Sequence, residues 1–511
     1  MKKLFSVLLF IVMTFSTAFA EKVYQADLAI LGSGVAGLTA AAYAAQNGLK
    51  VVVLEKLATI GGQLVLIEGT FAVETDLQRQ EMVGLTKEKA FEQTMNYSQW
   101  KADASLVKRI IDESAGTLKW VTDNGVKMQG LITDTPDGNR VYHTYEDHNP
   151  GKQYIDTMAN IVKKGGGIFL TETPAKSLIQ NKAGEVTGVI GEDLDTGETV
   201  RVNAKAVLVA TGSYAQNKEI LLKYNPEFPP TVRANGLKGN MGDGIIMGQK
   251  VGAQLANMHL SFSEGAVPTN TLYDELYTDE KMLQAYMVLK TKSLWVNKAG
   301  ARFMDEEHSG DFTIVQNALL PNGSTEIVIM DADYRKDLME ETGAHTNYFT
   351  LFGAGQKITL FDQVLADGLK RGYAFKANSV RELAKQLNID PEMLQQTVDR
   401  YNELSKKGND DDFGKSAKWM KPLIKAPFYA FRGENTICDV GGGLKINRNA
   451  QVISVDGKPI PGLYAAGATS GGMYGDSYPY IMPGFASATA MNTGIFAVKD
   501  VVEKVLHKKI Q

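Results

Sequence analysis

One stretch near the start of the chain, residues 26–62, constrains the fold more than any other. An apolar run, Ala26 to Leu31, is followed by three glycines at the spacing G-x-G-x-x-G: Gly32, Gly34 and Gly37. An Ala-rich helical pattern comes next, and a second apolar run, Val51 to Leu54, ends at Glu55. This order predicts one βαβ unit with the glycines at the turn between the first strand and the helix.

Each member of this motif has a physical reason for its place. Gly32 permits a tight turn, Gly34 lets the backbone approach a pyrophosphate, and Gly37 lets the helix pack closely on the strand. Free N–H groups at the helix N-terminus favour an anion, and Glu55 is placed to bind a ribose hydroxyl. An ordinary glycine-rich turn is the alternative, but it would need neither flanking strands nor a terminal acid. The stretch therefore predicts a dinucleotide site.

Length and composition narrow the class of protein. A chain of 511 residues is too long for one simple core, so we expect two or more domains. With 44% hydrophobic and 22% charged residues, the sequence is typical of a soluble globular protein. The net charge of -4 provides no basic surface for nucleic acid, so no nucleic-acid partner is expected.

Cysteine is nearly absent from the sequence. Cys438 is the only cysteine, which excludes a disulfide, a thiolate metal cluster and C-x-x-C-H haem attachment within this chain. Any iron cofactor would therefore lie on a partner. His143 and His148 lie in the polar segment 140–153, where a structural role is favoured over a catalytic one. We predict no metal site.

The first 20 residues form a separate unit. Lys2 and Lys3 precede an apolar run from Leu4 to Phe15, and a small-x-small cleavage site follows at 18–20. This pattern predicts a signal peptide over residues 1–20, with a membrane anchor as the alternative. The later apolar runs are too short to cross a bilayer. We therefore expect an exported, periplasmic protein that does not span the membrane.

Four further motifs follow the glycine triplet in a fixed order: GGQ at 61–63, ATG at 210–212, GDG at 242–244 and GLYAAGA at 462–468. Together they resemble the FAD-binding domain of the fumarate reductase and succinate dehydrogenase flavoprotein family. That family includes soluble periplasmic fumarate reductases and 3-ketosteroid dehydrogenases. The resemblance covers nearly all of the mature chain, and it is clearest over 26–75, 200–255 and 437–498.

The resemblance implies an α/β fold, in which a Rossmann-like FAD-binding domain in two segments carries an inserted α+β capping domain. The implied boundaries are 21–256 and 437–511 for the two FAD-binding segments and 257–436 for the capping domain. No His occurs over 66–75, so the FAD is expected to be non-covalent. Ala468 departs from the family pattern, which often has Glu there. The implied FAD contacts are Gly32, Gly34, Ala36, Gly37, Glu55, Gly62, Gln63, Gly69, Thr70, Ala175, Asp243, Gly467, Ala486 and Ser487.

The groups that handle fumarate in this family are missing from the corresponding positions. Gly310 occupies the position of the catalytic Arg, and Tyr286 and Leu289 lie near the positions of the proton relay. Ile437 and Cys438 fall where the family has a His, and no Arg occurs over 475–480, where the carboxylate clamp is expected. Because buried carboxylates need charge-assisted partners, fumarate itself is an improbable substrate.

Aromatic residues occupy the expected substrate region instead. Tyr480 and Gly484 match the segment with which the ketosteroid enzymes bind a substrate carbonyl through a Tyr hydroxyl and a Gly N–H. The resemblance therefore implies that these two residues polarise a carbonyl conjugated to a C=C bond. A second acid must supply or remove the α-proton. The candidates for that role are Tyr286, His308, Tyr145 and Tyr478.

Three functional hypotheses remain open. The first is an exported FAD-dependent oxidoreductase acting on CH–CH groups, which reduces a C=C bond conjugated to a carbonyl or carboxylate in an enoate, aryl-acrylate or enone. Its electrons would come from a separate donor, such as a periplasmic cytochrome c or a membrane quinol dehydrogenase, as in anaerobic respiration. The second is a 3-ketosteroid-type dehydrogenase, performing a Δ1 or related desaturation. The third is a non-catalytic, flavin-binding electron carrier.

Overall fold

The structure of the chain, a computed structural model, describes residues 21–63, 68–132, 139–146, 150–272, 275–276, 278–340 and 356–509. The predicted signal peptide, residues 1–20, and His148 lie outside the described residues. In the described part of the chain, no helix combines the length and the apolar character needed to cross a membrane.

The helices and strands alternate along the chain. The first half contains β1 (Glu21–Leu31), α1 (Val35–Gln46), β2 (Val51–Leu54), β3 (Gly69–Phe71), α2 (Asp76–Gln80), α3 (Lys87–Tyr97), α4 (Ala104–Asp123), β4 (Met128–Ile132), β5 (Tyr142–Tyr145), α5 (Pro150–Lys164), β6 (Ile168–Leu170), β7 (Ala175–Gln180), β8 (Val186–Glu192), β9 (Thr199–Val209), α6 (Lys218–Tyr224), β10 (Arg233–Ala234), α7 (Asp243–Lys250) and β11 (Leu255–Ala256). The second half contains β12 (Ser261–Pro268), α8 (Glu280–Leu289), β13 (Leu294–Val296), α9 (Phe312–Leu319), β14 (Thr325–Met330), α10 (Ala332–Glu340), α11 (Phe361–Arg371), β15 (Ala374–Ala377), α12 (Val380–Leu387), α13 (Pro391–Lys407), β16 (Phe428–Val440), β17 (Gly443–Lys445), β18 (Gln451–Ile453), β19 (Pro459–Ala465), β20 (Ser470–Gly471) and α14 (Phe485–Asp500). Turns of 3-10 helix lie at Glu306–Gly310, Leu320–Asn322, Ala417–Trp419 and Gly467–Thr469, and a π-helical turn at Val501–Val505 follows α14.

A mostly parallel sheet with the order β18-β19-β9-β1-β2-β6 forms the first layer, which we call the nucleotide sheet. Strand β1 pairs in parallel with both β2 and β9, and β19 pairs in parallel with the C-terminal end of β9. The hairpin β7–β8 joins the first half of β9 in antiparallel fashion. The predicted βαβ unit is therefore confirmed. Residues 199–209 form one continuous strand because β1 pairs with it along its whole length, while β8 and β19 pair with its first and second halves.

The helix of the βαβ unit, α1, is almost entirely buried between the sheet and the helices α5 and α14. Its alanines permit this close approach on all sides, since larger side chains would hold the neighbouring elements apart. A Cβ on Gly37 would overlap the carbonyl oxygen of Gly32, and one on Gly494 would lie 2.7 Å from the carbonyl oxygen of Ala36. Both glycines are thus required by packing.

A second, mostly antiparallel sheet forms the capping domain and is called the capping sheet here. Its order is β10-β16-β14-β13, and β12 and β15 also pair with β16. Helices α8 and α11 to α13 contribute to the apolar core beside this sheet. Strand β16 runs to Val440, and β10 joins the sheet from residues 233–234. The capping sheet therefore extends past the predicted boundaries at 257 and 436.

Candidate active site

A large cavity lies between the two sheets, at the carboxyl ends of four parallel strands. Leu31, Leu54, Ala210 and Ala466 line it, and each lies at or directly after the end of β1, β2, β9 or β19. Open α/β sheets bind their ligands at this edge. The end of β16 and the start of α14 close the other side. The topology therefore places a ligand site where the two domains meet.

Most of the residues predicted from the sequence are brought together here. Those that line the cavity are Gly32, Gly34, Ala36, Glu55, Gly62, Gln63, Gly69, Ala175, Asp243, Gly467, Tyr480, Gly484, Ala486 and Ser487. Gly37, Thr70, Tyr286 and His308 are not among the lining residues. Gly37 packs behind the glycine loop, as its role in the motif requires. Thr70 is buried directly beside Gly69, and its Oγ1 has no hydrogen-bond partner among the described residues.

The turn after β1 provides an anion site. Gly32 has φ of +96°, and a Cβ there would overlap the carbonyl oxygen of Ala210. Gly34 caps α1 without a side-chain hydrogen bond, and the space around its Cα is open. In the described part of the chain, the first N–H groups of α1, from Val35 to Gly37, donate to no protein atom. These donors and the helix dipole suit a pyrophosphate.

Glu55 is held firmly at the tip of β2. Its Oε2 accepts hydrogen bonds from the Ser33 N–H at 2.9 Å and the Ser33 hydroxyl at 2.6 Å, and its Oε1 accepts one from the Leu57 N–H at 2.9 Å. A carboxylate has about four lone-pair positions, so Oε1 can still accept from a ligand hydroxyl. Lys56 Nζ lies 2.6 Å from Asp243 Oδ2 at the start of α7. Together with the unpartnered Thr70 hydroxyl, these residues fit a dinucleotide such as FAD.

The other end of the cavity is aromatic. The ring of Phe262 lies 5.3 Å from that of Tyr474 and 4.7 Å from that of Tyr478. Tyr480 lies 4.9 Å from Tyr478 and 5.3 Å from Phe312, centroid to centroid. All five residues line the cavity, and we call them the aromatic wall. Rings at these separations pack favourably, and they present flat apolar surface to a ligand.

Tyr480 is part of this wall, but its hydroxyl is already engaged. It donates to the carbonyl oxygen of Ser263 at 2.5 Å. A Tyr hydroxyl has one proton, so the predicted donation to a substrate carbonyl is not available in this arrangement. The Tyr478 hydroxyl accepts from the Ala486 N–H at 3.2 Å. Tyr480 therefore shapes the wall here, which corrects the role expected from its sequence position.

Gly484, the second predicted carbonyl-binding residue, caps α14 in a left-handed conformation with φ of +79°. A Cβ there would lie 2.5 Å from the backbone nitrogen of Phe71, so only glycine fits. The N–H groups of Gly484 and Ser487 make no hydrogen bond to any residue that the structure describes. The N-terminus of α14 therefore offers backbone donors to a ligand, and the binding of a substrate carbonyl at Gly484 stays a prediction.

Three of the four candidates for the second acid lie away from the cavity. Tyr286 is fully buried in the capping core, where its ring centroid lies 4.7 Å from Lys290 Nζ. His308 is half exposed on a 3-10 turn, with its Nε2 3.8 Å from Asp305 Oδ2. Tyr145 is buried in β5. The assignments of Tyr286 and His308 as catalytic residues are thus corrected, because capping-domain packing directs both away from the ligand.

The sequence interpretation missed one titratable group in the cavity, Asp439. It lies near the end of β16, opposite Phe262 on β12, and lines the cavity beside Cys438. Its Oδ1 accepts the Val440 N–H at 2.9 Å. Burial raises the pKa of the Asp439 carboxyl to about 6. Its position directly after the residues aligned with the family His, at the end of an apolar strand, could have indicated it.

Comparison with known proteins places this site in context. A family model described as FAD binding domain matches residues 27–480. The chain is 30% identical over 475 residues to vinyl phenol reductase of Lactiplantibacillus plantarum, covering 92% of this chain and 94% of that protein. It is 29% identical over 462 residues to urocanate reductase of Eggerthella lenta, covering 87% and 70%. The open conformation of a flavocytochrome c3 fumarate reductase gives a TM-score of 0.70 at 25% identity, covering 94% of this chain and 79% of that one.

Proposed function

Because the chain belongs to the fumarate reductase and succinate dehydrogenase flavoprotein family and is an FAD-dependent oxidoreductase acting on C=C bonds, we propose that it reduces an alkene conjugated to a carbonyl or carboxylate. The substrate class that we infer is an aryl-acrylate, or an enone of similar flatness. The observation that carries this proposal is the aromatic wall at one end of the cofactor cavity.

The charges of the cavity argue against a dicarboxylate. Among the described residues that line it, Lys56 is the only cation, and it is already paired with Asp243 at the nucleotide end. One carboxylate or carbonyl can be bound by the backbone donor at Gly484, but a second buried carboxylate would lack a charged partner, which costs several kcal/mol. An aromatic substituent would instead stack on Phe262 and Tyr478 and gain from burial. The names of the two relatives, vinyl phenol reductase and urocanate reductase, fit this preference.

The residues at one end of the cavity would bind the cofactor, and those at the other end would bind the substrate. The glycine loop, Glu55 and the start of α14 would hold the FAD, which supplies the hydride when it is bound. The backbone donor at Gly484 would orient and polarise a carbonyl oxygen, where negative charge develops during reduction. The aromatic wall would exclude water and fix the plane of the alkene.

The source of electrons is also a proposal. With Cys438 as its only cysteine, this sequence has no attachment motif for haem. We infer that a separate redox protein, such as a periplasmic cytochrome c or a membrane quinol dehydrogenase, reduces the flavin. Export to the periplasm, which residues 1–20 indicate, would place the chain beside such donors. Non-covalent attachment of the FAD also stays a prediction.

One assay tests the proposed activity and substrate class. Purified, FAD-loaded protein is mixed anaerobically with reduced methyl viologen and one acceptor: a cinnamate, a vinyl phenol, a cyclic enone, acrylate or fumarate. We expect the aryl-substituted alkenes to oxidise the viologen fastest and fumarate slowest, with FAD-free protein as the control. Activity only with a saturated ketosteroid and an artificial acceptor would support the dehydrogenase hypothesis instead. Flavin reduction without turnover of any substrate would support an electron carrier.

A further inference from the structure

Asp439 is the acidic group at the aromatic end of the cavity. Three other carboxylates in the described part of the chain line the same cavity: Glu55, Glu68 and Asp243. Glu55 is bound by Ser33 and Leu57 at the nucleotide end, and Asp243 is paired with Lys56. Glu68 directly precedes β3, on the side of the nucleotide sheet. Only Asp439 belongs to the strand that closes the cavity beside the aromatic wall.

The register of two strands fixes the place of its side chain. In the antiparallel pair formed by β12 and β16, Asp439 stands opposite Phe262. Residues that are directly opposed in such a pair have Cβ atoms about 4.5–5.5 Å apart. The ring of Phe262 in turn lies 4.7 Å from that of Tyr478. The carboxyl therefore lies at the edge of the rings on which a flat substrate would stack.

The surroundings of Asp439 raise the pKa of its carboxyl toward neutrality. Burial is the main cause of its raised pKa, of about 6, and the hydrogen bonds from Ser213 and the Val440 N–H oppose it. The titratable groups that face it are Tyr214, from the segment after β9, and Tyr474, from the segment after β20. Among the described residues, no cation stabilises its charge. About a tenth of the carboxyl is protonated at pH 7, which is enough for a general acid.

We propose that Asp439 is the catalytic acid that protonates the α-carbon of the alkene. This inference rests on the function proposed above. The α-carbon takes the Asp439 proton and the β-carbon takes the hydride, so the π bond breaks and two C–H bonds form. Asp439 is left as a carboxylate and regains its proton from solvent. Two electrons from the redox partner and one proton from solvent would return the cofactor to its hydride-donating form.

The test compares variants of the FAD-loaded holoenzyme, with viologen as the donor and a cinnamate as the acceptor. Asp439→Asn should bind FAD normally, as judged by its absorbance near 450 nm, and should be reduced by viologen at the normal rate. Its reoxidation by cinnamate, followed by stopped flow, should slow by about 100-fold or more. Asp439→Glu should recover part of that rate. Wild-type reoxidation should decline as pH rises through about 6, and this decline should be absent from Asp439→Asn.

Glu326→Gln is the matched control, because Glu326 is a fully buried carboxyl with a raised pKa that does not line the cavity. It should keep the wild-type rate and pH profile. Normal reoxidation of Asp439→Asn would overturn the assignment, and so would loss of activity in Glu68→Gln alone. If no alkene reoxidises the wild-type enzyme, the proposed function fails and this inference fails with it. If both the wild-type enzyme and Asp439→Asn turn over the alkene at the same rate, only the assignment of Asp439 as the catalytic acid is wrong.

Discussion

The buried side chain of His143 allows a direct test of how the folding stability of this protein depends on pH. Its side chain is 1% exposed in β5, next to Tyr142, which lines the cofactor cavity. Nδ1 lies 2.9 Å from the Val141 carbonyl oxygen, so it must carry a hydrogen, and Nε2 lies 2.9 Å from Thr75 Oγ1. Burial lowers the pKa of the His143 imidazole to about 4, from 6.5. We predict that this neutral histidine makes the fold sensitive to acid.

The direction and the size of the change in folding stability follow from the difference between the pKa of His143 in the folded and unfolded chain. Between pH 6.5 and pH 4 the unfolded chain binds a proton that the folded chain excludes, so stability falls as the pH falls. At pH 4.5 the loss is about 2.5 kcal/mol, from about 1.36 kcal/mol per pKa unit. An unfolding entropy of about 2.1 cal/mol/K per residue gives about 1 kcal/mol/K for the whole chain. The expected contribution to the melting temperature is therefore about 2.5 °C.

The substitution that isolates this effect is His143→Gln, since glutamine can still donate to Val141 but cannot titrate. Melting of the holoenzyme is followed by the rise in flavin fluorescence at pH 7.0 and pH 4.5. His308→Gln, which removes a half-exposed histidine outside the cavity, is the control. The difference between the two pH values should shrink by about 2.5 °C in His143→Gln only. An unchanged difference would refute the claim that burial keeps His143 neutral.

Three further substitutions have defined outcomes. Gly37→Ala places a Cβ on the carbonyl oxygen of Gly32, so the purified protein should carry less FAD, and a normal ratio of absorbance at 450 and 280 nm would contradict this. Phe262→Ala removes part of the aromatic wall and should lower kcat/KM for aryl alkenes by about 30-fold while changing that for acrylate little; equal losses would count against stacking. Burial raises the pKa of Glu326 to about 7, from 4.5, so its folded form binds the extra proton and stability falls as pH rises through that range. Glu326→Gln should therefore gain up to about 3 kcal/mol at pH 8.5 relative to pH 4.5, and an unchanged pH dependence of the melting temperature would exclude a buried charge there.

The cofactor half of the site could be predicted because its determinants are local. Gly32, Gly37 and Glu55 belong to one strand–helix–strand unit, in which each residue's role follows from a turn or from a contact between sequence neighbours. The core of the nucleotide sheet then follows from the buried apolar runs at the ends of β1 and β9 and along β2. The second neighbours of β9, the hairpin strand β8 and the late strand β19, come from distant parts of the chain, which the apolar pattern alone does not reveal.

The catalytic half depends on contacts between distant segments, and sequence patterns do not encode these. The place of Asp439 depends on the register between β12 and β16, and the state of Tyr480 depends on the carbonyl of Ser263. The sequence offset predicts Tyr286 in the site, but α8 places its side chain in the core of the capping domain. In each case the neighbours of the residue are fixed by tertiary packing, which the sequence pattern does not show.

Strand β16 has a mechanical consequence. It pairs with four other strands of the capping sheet, and its last residues form one side of the cofactor cavity. If the capping sheet rotated as a rigid body relative to the nucleotide sheet, Asp439 would move with it. Opening of the cleft, which lets the product leave, would also move the Asp439 carboxylate away from the reacting carbon and expose it to bulk water. The same movement would therefore release the product and allow Asp439 to be protonated again.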